Sequence, residues 1–448
     1  MSLALALSPA GDLQADEPPV SWYRDITPIF KRSCNGCHNP NKLKGDVDTS
    51  SHAGLLKPGK HGPNLRSGDP EGSLVLEQIR GAEPDMPKEG DPLSAAEIAL
   101  IARWIREGAL DDTPASARRS RPETFPEYQI PPVTTALAVS PDGHWIAASG
   151  HHEVFLLDAA TLETRFRLLG ESPRIEALAF SPDSSRLAAC GGAPSQFGEV
   201  QVWASGTTNL LSSWTVGTDS VYGVSWSPDG TRLALGGADK SVRILDASDG
   251  REQIRFDNHS DWVFRTAWMA GGSRLLSAGR DRAMKLLLVS DGQFIDDVNK
   301  LIEPVVSMAR HPSEEWAACG GAEGGLRLYR ARENQERTAG NNDVNLVREF
   351  ERQPGAVAAV AFSPDGSLLA AGGPGGEVRV YRTGDGTLAA RLPAGEGAIY
   401  ALAFTTGGQR LITGGFDGLI RCFDPVAGTL EAVLTPVPLS PARTVVHR

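Results

Sequence analysis

Two kinds of hydrophobic periodicity divide this chain. Over the first quarter the apolar positions recur at helical spacing. Ile98, Ile101, Trp104 and Ile105 form one stripe behind Ser94-Ala95-Ala96-Glu97, a capping box, and Gly108 suits the C-terminal stop. Two shorter helices are expected upstream. Thr27 reads as an N-cap with Pro28 at the first helical position, leading through Ile29 and Phe30 to Cys34. Asp69-Pro70-Glu71 reads as the opening of the second, with Leu74, Val75, Leu76 and Ile79 as its apolar part.

From about residue 133 the period shortens to two. Alternating runs such as Ala177-Leu178-Ala179-Phe180 and Val360-Ala361-Phe362 lead into Ser-Pro-Asp turns at 140–143, 181–184, 227–230 and 363–366. A second strand ends in small residues, as in Leu233-Ala234-Leu235-Gly236-Gly237. A third follows, as in Val242-Arg243-Ile244-Leu245-Asp246, then a glycine-bearing turn and a fourth. The unit recurs about every 40 residues, with starts near 133, 174, 220, 262, 304, 356 and 398. Four short antiparallel strands, repeated radially, make a propeller blade, and closing the ring leaves no long edge exposed. Insertions at 194–197 and from about 331 to 346 are expected to be solvent loops.

The expected fold class is therefore multidomain, α plus all-β. A small all-α domain spans 21–110, and a proline-bearing linker (Pro114, Pro122, Pro126, Pro131, Pro132) spans 111–132. That stretch reads equally as a strand joining the next domain late. A seven-bladed β-propeller fills 133–439. Residues 1–20 read as a signal-like or disordered N-terminus and 440–448 as a tail. Which terminus supplies the last strand of the ring stays open at this point.

The chemistry concentrates in Cys34-Asn35-Gly36-Cys37-His38. A Cys-x-x-Cys-His run reads as covalent attachment of haem c, two thiols adding to two vinyl groups of one porphyrin and the adjoining imidazole facing the iron. His38 is then the proximal ligand. Met86, in the loop Pro84-Asp85-Met86-Pro87 before the last helix, is the choice for the sixth, because flanking prolines present the thioether with little ordering cost. His52 and His61 compete for that role. The difference matters, since Met/His ligation raises the potential relative to His/His. A zinc site on Cys34, Cys37, His38 and a later histidine is the alternative reading, with adjacent Cys37 and His38 awkwardly spaced for a tetrahedral site.

Charge and cysteine count narrow the field. The net charge of −11 over 448 residues offers no basic stripe for nucleic acid. Only five cysteines are present, so no disulfide framework is built, and Cys190, Cys319 and Cys422 read as small buried hydrophobes. Leu3-Ala4-Leu5-Ala6-Leu7 is like the end of a signal h-region, and Leu13-Gln14-Ala15 a place before cleavage, without a positive n-region ahead. Export to the periplasm is thus implied by the haem motif. No stretch reaches the ~18 apolar residues of a transmembrane helix.

These pieces resemble known families. Tyr23-Arg24-Asp25-Ile26, Pro28-Ile29-Phe30, Cys34 to His38, Gly68-Asp69-Pro70-Glu71-Gly72-Ser73-Leu74, Met86-Pro87, Glu97-Ile98 and Trp104-Ile105 together resemble the planctomycete-type c-type cytochrome domain, a relative of class I cytochromes c. The resemblance covers about 90 residues. It implies one haem c, His38 and Met86 as axial iron ligands, and an exported protein. Lys44-Gly45-Asp46-Val47-Asp48 departs from the family's Gly-Gly segment there. The repeats resemble the WD-repeat (WD40) family in period and strand pattern, less so in the signature dipeptide: Trp203 keeps the tryptophan, Asp246 and Asp424 only the aspartate. The family's His-Asp buttress is expected once, His259 with Asp281. Asp239 and Asp417 occupy the same turn without a histidine.

The favoured function is an electron carrier whose propeller docks a redox partner protein. An enzyme with a cofactor or substrate site on the propeller, and a haem-based sensor or interaction scaffold, are the alternatives. WD-type rings bind proteins through the rim where their first strands begin. Here that rim carries Glu176, Tyr222, Phe264, Val306, Ala358 and Tyr400, with Trp262 adjacent.

Overall fold

The computed structural model describes residues 18–38, 44–88, 90–113, 122, 124–300, 302–333 and 343–440. The signal-like segment, most of the second expected insertion and the C-terminal tail lie outside the described residues. The chain divides into two compact units, 1–119 and 120–448.

The first unit is helical, with α1 (Thr27–Ser33), α2 (His52–Leu55), α3 (Leu74–Ile79) and α4 (Ala95–Arg106). α4 follows its sequence pattern: Ser94 and Glu97 form a reciprocal capping box, and Ile101, Trp104 and Ile105 are buried. Gly108, at φ +105°, ends it, with the amide of Ala109 donating to the Trp104 carbonyl at 2.9 Å.

The two shorter helices begin elsewhere than expected. Helical backbone starts at Trp22 with a wide π-type turn, Trp22–Ile26, capped by Ser21. Pro28 has no N–H to donate, and the Thr27 hydroxyl bonds the Trp22 carbonyl instead, at 2.9 Å. α3 starts at Leu74, five residues after Asp69. Asp69 caps a local turn instead, accepting from the Gly72 amide at 2.9 Å. Two buried tryptophans stack at the centre of this unit, Trp22 on Trp104 at 5.0 Å between ring centroids.

The second unit is seven four-stranded antiparallel blades. Five are separate sheets, and the first two share one long strand, Thr164–Phe180. Its first half closes blade 1 against His151–Asp158, and its second half opens blade 2 against Arg186–Ala193. The innermost strands neighbour one another around the whole circle, and Ile399–Phe404 of blade 7 meets Leu137–Val139 of blade 1. Each blade takes its strands consecutively from the chain, so neither terminus supplies a missing strand. The ends meet instead through one parallel bridge, Tyr128 with Leu439, and the Ser440 amide donates to the Tyr128 carbonyl at 2.7 Å.

The Ser-Pro-Asp turns repeat one local hydrogen-bond pattern. In four blades the serine hydroxyl (Ser140, Ser181, Ser227, Ser363) donates to the aspartate two residues on at 2.5 Å and accepts the amide five residues on at 2.9 Å. In blade 5 His311 replaces the serine, its Nδ1 accepting the Glu314 amide at 3.0 Å.

The buttress pair is present: His259 Nδ1 lies 2.9 Å from Asp281 and its Nε2 2.7 Å from Ser277, all buried. Where the histidine is missing, an arginine four residues on takes its place, Arg243 against Asp239 and Arg421 against Asp417.

Candidate haem-attachment site and propeller rim

α1 delivers the motif. Its last turn carries the chain from Phe30 to Cys34, whose amide donates to the Phe30 carbonyl at 2.8 Å. Cys34, Asn35, Gly36 and Cys37 then form a turn, closed by bonds from the amides of Cys37 (3.1 Å) and His38 (3.0 Å) to the Cys34 carbonyl. The start of α4 holds α1 in place through an ion pair between Arg32 and Glu97. Hydrogen bonds at the α4 N-terminus, first the Ser94 amide and then Arg32, draw the Glu97 carboxyl down to about 2.

Two residues with no chemistry of their own fix the motif backbone. Thr49 donates to the His38 carbonyl twice, from its amide at 2.9 Å and its hydroxyl at 3.0 Å. The buried Asn35 amide nitrogen reaches the carbonyls of Phe30 and Thr49, each at 3.1 Å. Neither role had a sequence signal beyond Asn35 lying inside the motif.

His38 is half-buried at the end of this turn, with Nδ1 2.9 Å from the Lys44 carbonyl. A carbonyl only accepts, so Nδ1 carries the proton and the Nε2 lone pair is left for a metal. Fixing the second ring nitrogen in this way is how a protein orients a metal-ligating imidazole.

Cys34 and Met86 are both half-buried and pack against the same apolar cluster, that of Trp22, Phe30, Leu76 and Trp104. The Met86 amide donates to the carbonyl of Gln78 in α3 at 2.9 Å, which ties its loop to that helix. Burial pushes the Cys34 thiol up to about 11, against the pull of Arg32.

The competing histidines sit differently. His52 is wedged edge-on against Trp22 and Trp104, and its Nε2 lies 2.7 Å from the Ala109 carbonyl, so it is part of the packing. His61 is exposed in the turn between Pro58–Gly59 and Gly62–Pro63.

The donor set suits haem c rather than zinc. It joins two thiols, an imidazole with a free Nε2 and a thioether over an apolar floor. Among the described residues no three or more His, Cys, Asp or Glu side chains gather as a metal-binding group. No helix among them is long and apolar enough to cross a membrane.

The propeller rim separates into two parts. Tyr222, Trp262 and Phe264 form one aromatic cluster, with ring centroids 5.5–6.4 Å apart, and the Arg280 guanidinium lies 4.9 Å from the Trp262 ring. Glu176, Ala358 and Tyr400 line an axial cavity instead. Arg265 also lines it, and the sequence reading missed this residue because it follows Phe264 in an ordinary strand. Cys190, Cys319 and Cys422 are buried, with burial pushing the Cys319 thiol up to about 12.

Comparison with known proteins separates the two units in the same way. Residues 34–90 match the family model for the planctomycete cytochrome C domain. Residues 344–382 and 386–424 match the WD domain, G-beta repeat, and 201–271 match the WD40 domain of anaphase-promoting complex subunit 4. The chain is similar to protein groucho of Drosophila melanogaster, at 31% identity over 120 residues, which is 26% of this chain and 16% of that protein. The crystal structure of the computationally designed Ika8 protein covers 69% of this chain and 91% of its own, with a TM-score of 0.52 at 20% identity, a likeness of fold alone.

Proposed function

We propose that this chain, which joins a planctomycete-type cytochrome c domain to a WD-repeat propeller, is an exported monohaem electron carrier whose propeller docks its redox partner. The observation that carries the reading is His38. Its Nδ1 is spent on a backbone carbonyl, and its Nε2 is free, at the end of the turn that bears both thiols.

In this reading Cys34 and Cys37 would hold haem c through two thioether links, and His38 and Met86 would be its two iron ligands. The bound group supplies one-electron chemistry, with its potential set by axial ligand and burial. The protein's own part is positional. Thr49 and Asn35 keep the turn in place, Lys44 orients the imidazole, and the packed floor of Trp22, Phe30 and Trp104 excludes water beneath. Were His38 and Met86 both to hold the iron, no coordination position would be left for a substrate, which favours a carrier over an enzyme. Covalent attachment of haem c takes place outside the bacterial cytoplasm, which supports a periplasmic location.

The exposed edge of Trp262 with Tyr222 and Phe264 supports partner docking on the propeller, since aromatic anchors dominate contact energies at protein interfaces. The test is exposure of the reduced, matured protein to carbon monoxide. A carrier with two protein ligands keeps its visible spectrum unchanged. A shifted Soret band reveals an open coordination position and favours the sensor or enzyme reading.

A further inference from the structure

Four blades build their first turn on a serine, and blade 5 builds the same turn on His311. The ring is buried where this turn meets the corresponding turn of blade 6. The amides of Glu314 (3.0 Å) and Ser313 (3.3 Å) both donate to its Nδ1. A ring nitrogen that accepts carries no proton, so the proton sits on Nε2. Nε2 donates it across to the Gly366 carbonyl of blade 6, at 3.2 Å. Gly366, at φ +74°, has no room for a side chain beside the ring. Trp316 and Phe362 meet the imidazole edge-on, at 5.5 and 5.0 Å between ring centroids.

Only the neutral imidazole fits this arrangement. A second proton, on Nδ1, would face two N–H groups and leave both amides without their acceptor. The charged groups around the ring divide. Arg310 lies on the same turn and opposes a second positive charge, its Nη1 donating to the carbonyls of His311 (2.9 Å) and Pro312 (3.2 Å). Glu314 on that turn, and the Gly366 carbonyl and Asp365 on the blade 6 turn, pull the other way. Glu315 is paired with Arg274 of blade 4. Burial prevails and holds the imidazole below the ordinary histidine value.

We propose that His311 is an acid-sensitive latch between blades 5 and 6, closed by the neutral ring and released when Nδ1 takes a proton. Release frees the amides of Ser313 and Glu314, unties the Gly366 turn and loosens the cover over Trp316 and Phe362. The sign follows from the folded site binding its proton less readily than the unfolded chain. The latch contributes fully above about pH 6.5, the ordinary histidine value, and its contribution falls away as pH drops below it. The serine turns lack this response, because Asp183 and Asp229, held down to about 2, stay ionised throughout that range. The latch is independent of the haem reading.

The test is amide hydrogen exchange of the full chain at about pH 7.5 and about pH 5, with protection corrected for the intrinsic rate at each pH. Segments 311–316 and 363–368 are expected to lose protection at the lower pH, while the serine turn at 227–232 keeps its own. His311→Ser with Ser313→Asp restores the serine turn of the other blades and should hold protection at both pH values. Wild-type protection that does not change, or a loss that this double variant shares, overturns the latch. A loss at 227–232 equal to that at 311–316 also overturns it. If the double variant does not fold, His311→Gln keeps an acceptor and a donor without a titrating group. It should be indifferent to pH, and a loss equal to that of the wild type overturns the assignment.

Discussion

Met86 is the residue whose proposed role has the sharpest optical consequence. Met86→Ala in the matured protein is expected to keep covalent haem, to lose the weak thioether-to-iron charge-transfer band of the oxidised state, and to lower the potential. A band that persists assigns the sixth position to another residue. Thr49 is the corresponding test of the scaffold. Removing its hydroxyl with Thr49→Val unties a part-buried bond to the His38 carbonyl and is expected to cost the helical unit about 1–2 kcal/mol, read by denaturant titration. At this scale the candidate attachment residues stand out in the sequence, because Cys34, Cys37 and His38 carry their proposed chemistry in their spacing. Thr49 and Asn35 were not, because each acts through backbone carbonyls that only the folded chain brings near. His52 shows the converse: a residue type that fits ligation, spent on packing between two tryptophans.

Among the elements, the Ser-Pro-Asp turns make the clearest statement about pH. Hydrogen bonds, first from the Ser227 hydroxyl, hold the Asp229 carboxyl down to about 2, and Ser181 does the same for Asp183, also at about 2. Both values lie below the ordinary carboxylate, about 3.9. Their contribution is therefore whole above about pH 4 and is lost as pH falls through about 2. Acid unfolding followed by circular dichroism should steepen in that window, and the double substitution Asp183→Asn with Asp229→Asn should flatten it. An unchanged slope would mean the turns are indifferent to charge. The buttress of blade 4 gives a larger effect. His259→Ala leaves Asp281 and Ser277 buried without their partner and should cost about 3 kcal/mol by thermal denaturation. These turns and strands were readable because the pattern is local: serine, proline, aspartate and alternation all act within a few residues. The starts of α1 and α3 were not. A proline or an aspartate there serves a widened turn or a separate cap as readily as a helix N-terminus, and neighbouring packing decides which.

For the whole molecule the question is how a ring closes without sharing a strand. Tyr128 donates to Glu153 at 2.8 Å, and Glu153 is fully buried and gripped by Arg167 through two bonds of 2.6 Å. The same guanidinium lies over the Phe125 ring, so the chain entering blade 1 is clasped to it beside the Tyr128–Leu439 bridge. Arg167→Ala strands a buried carboxylate and is expected to destabilise the propeller by about 3–5 kcal/mol. Tyr128→Phe should cost about 1 kcal/mol. Equal, small losses in both would show that the clasp is not what holds the ends. The ring itself was foreseen from its period. Its mode of closure was not, since it joins Tyr128 to Leu439, residues from opposite ends of the repeat pattern with no local signal between them.

The most direct measurement is intact mass. The full chain, produced with cytochrome maturation machinery, is expected to gain the mass of one haem, and Cys34→Ala with Cys37→Ala should lose it while the β-rich circular dichroism spectrum persists. An unmodified mass for the matured wild-type chain would contradict the electron-carrier account at its root.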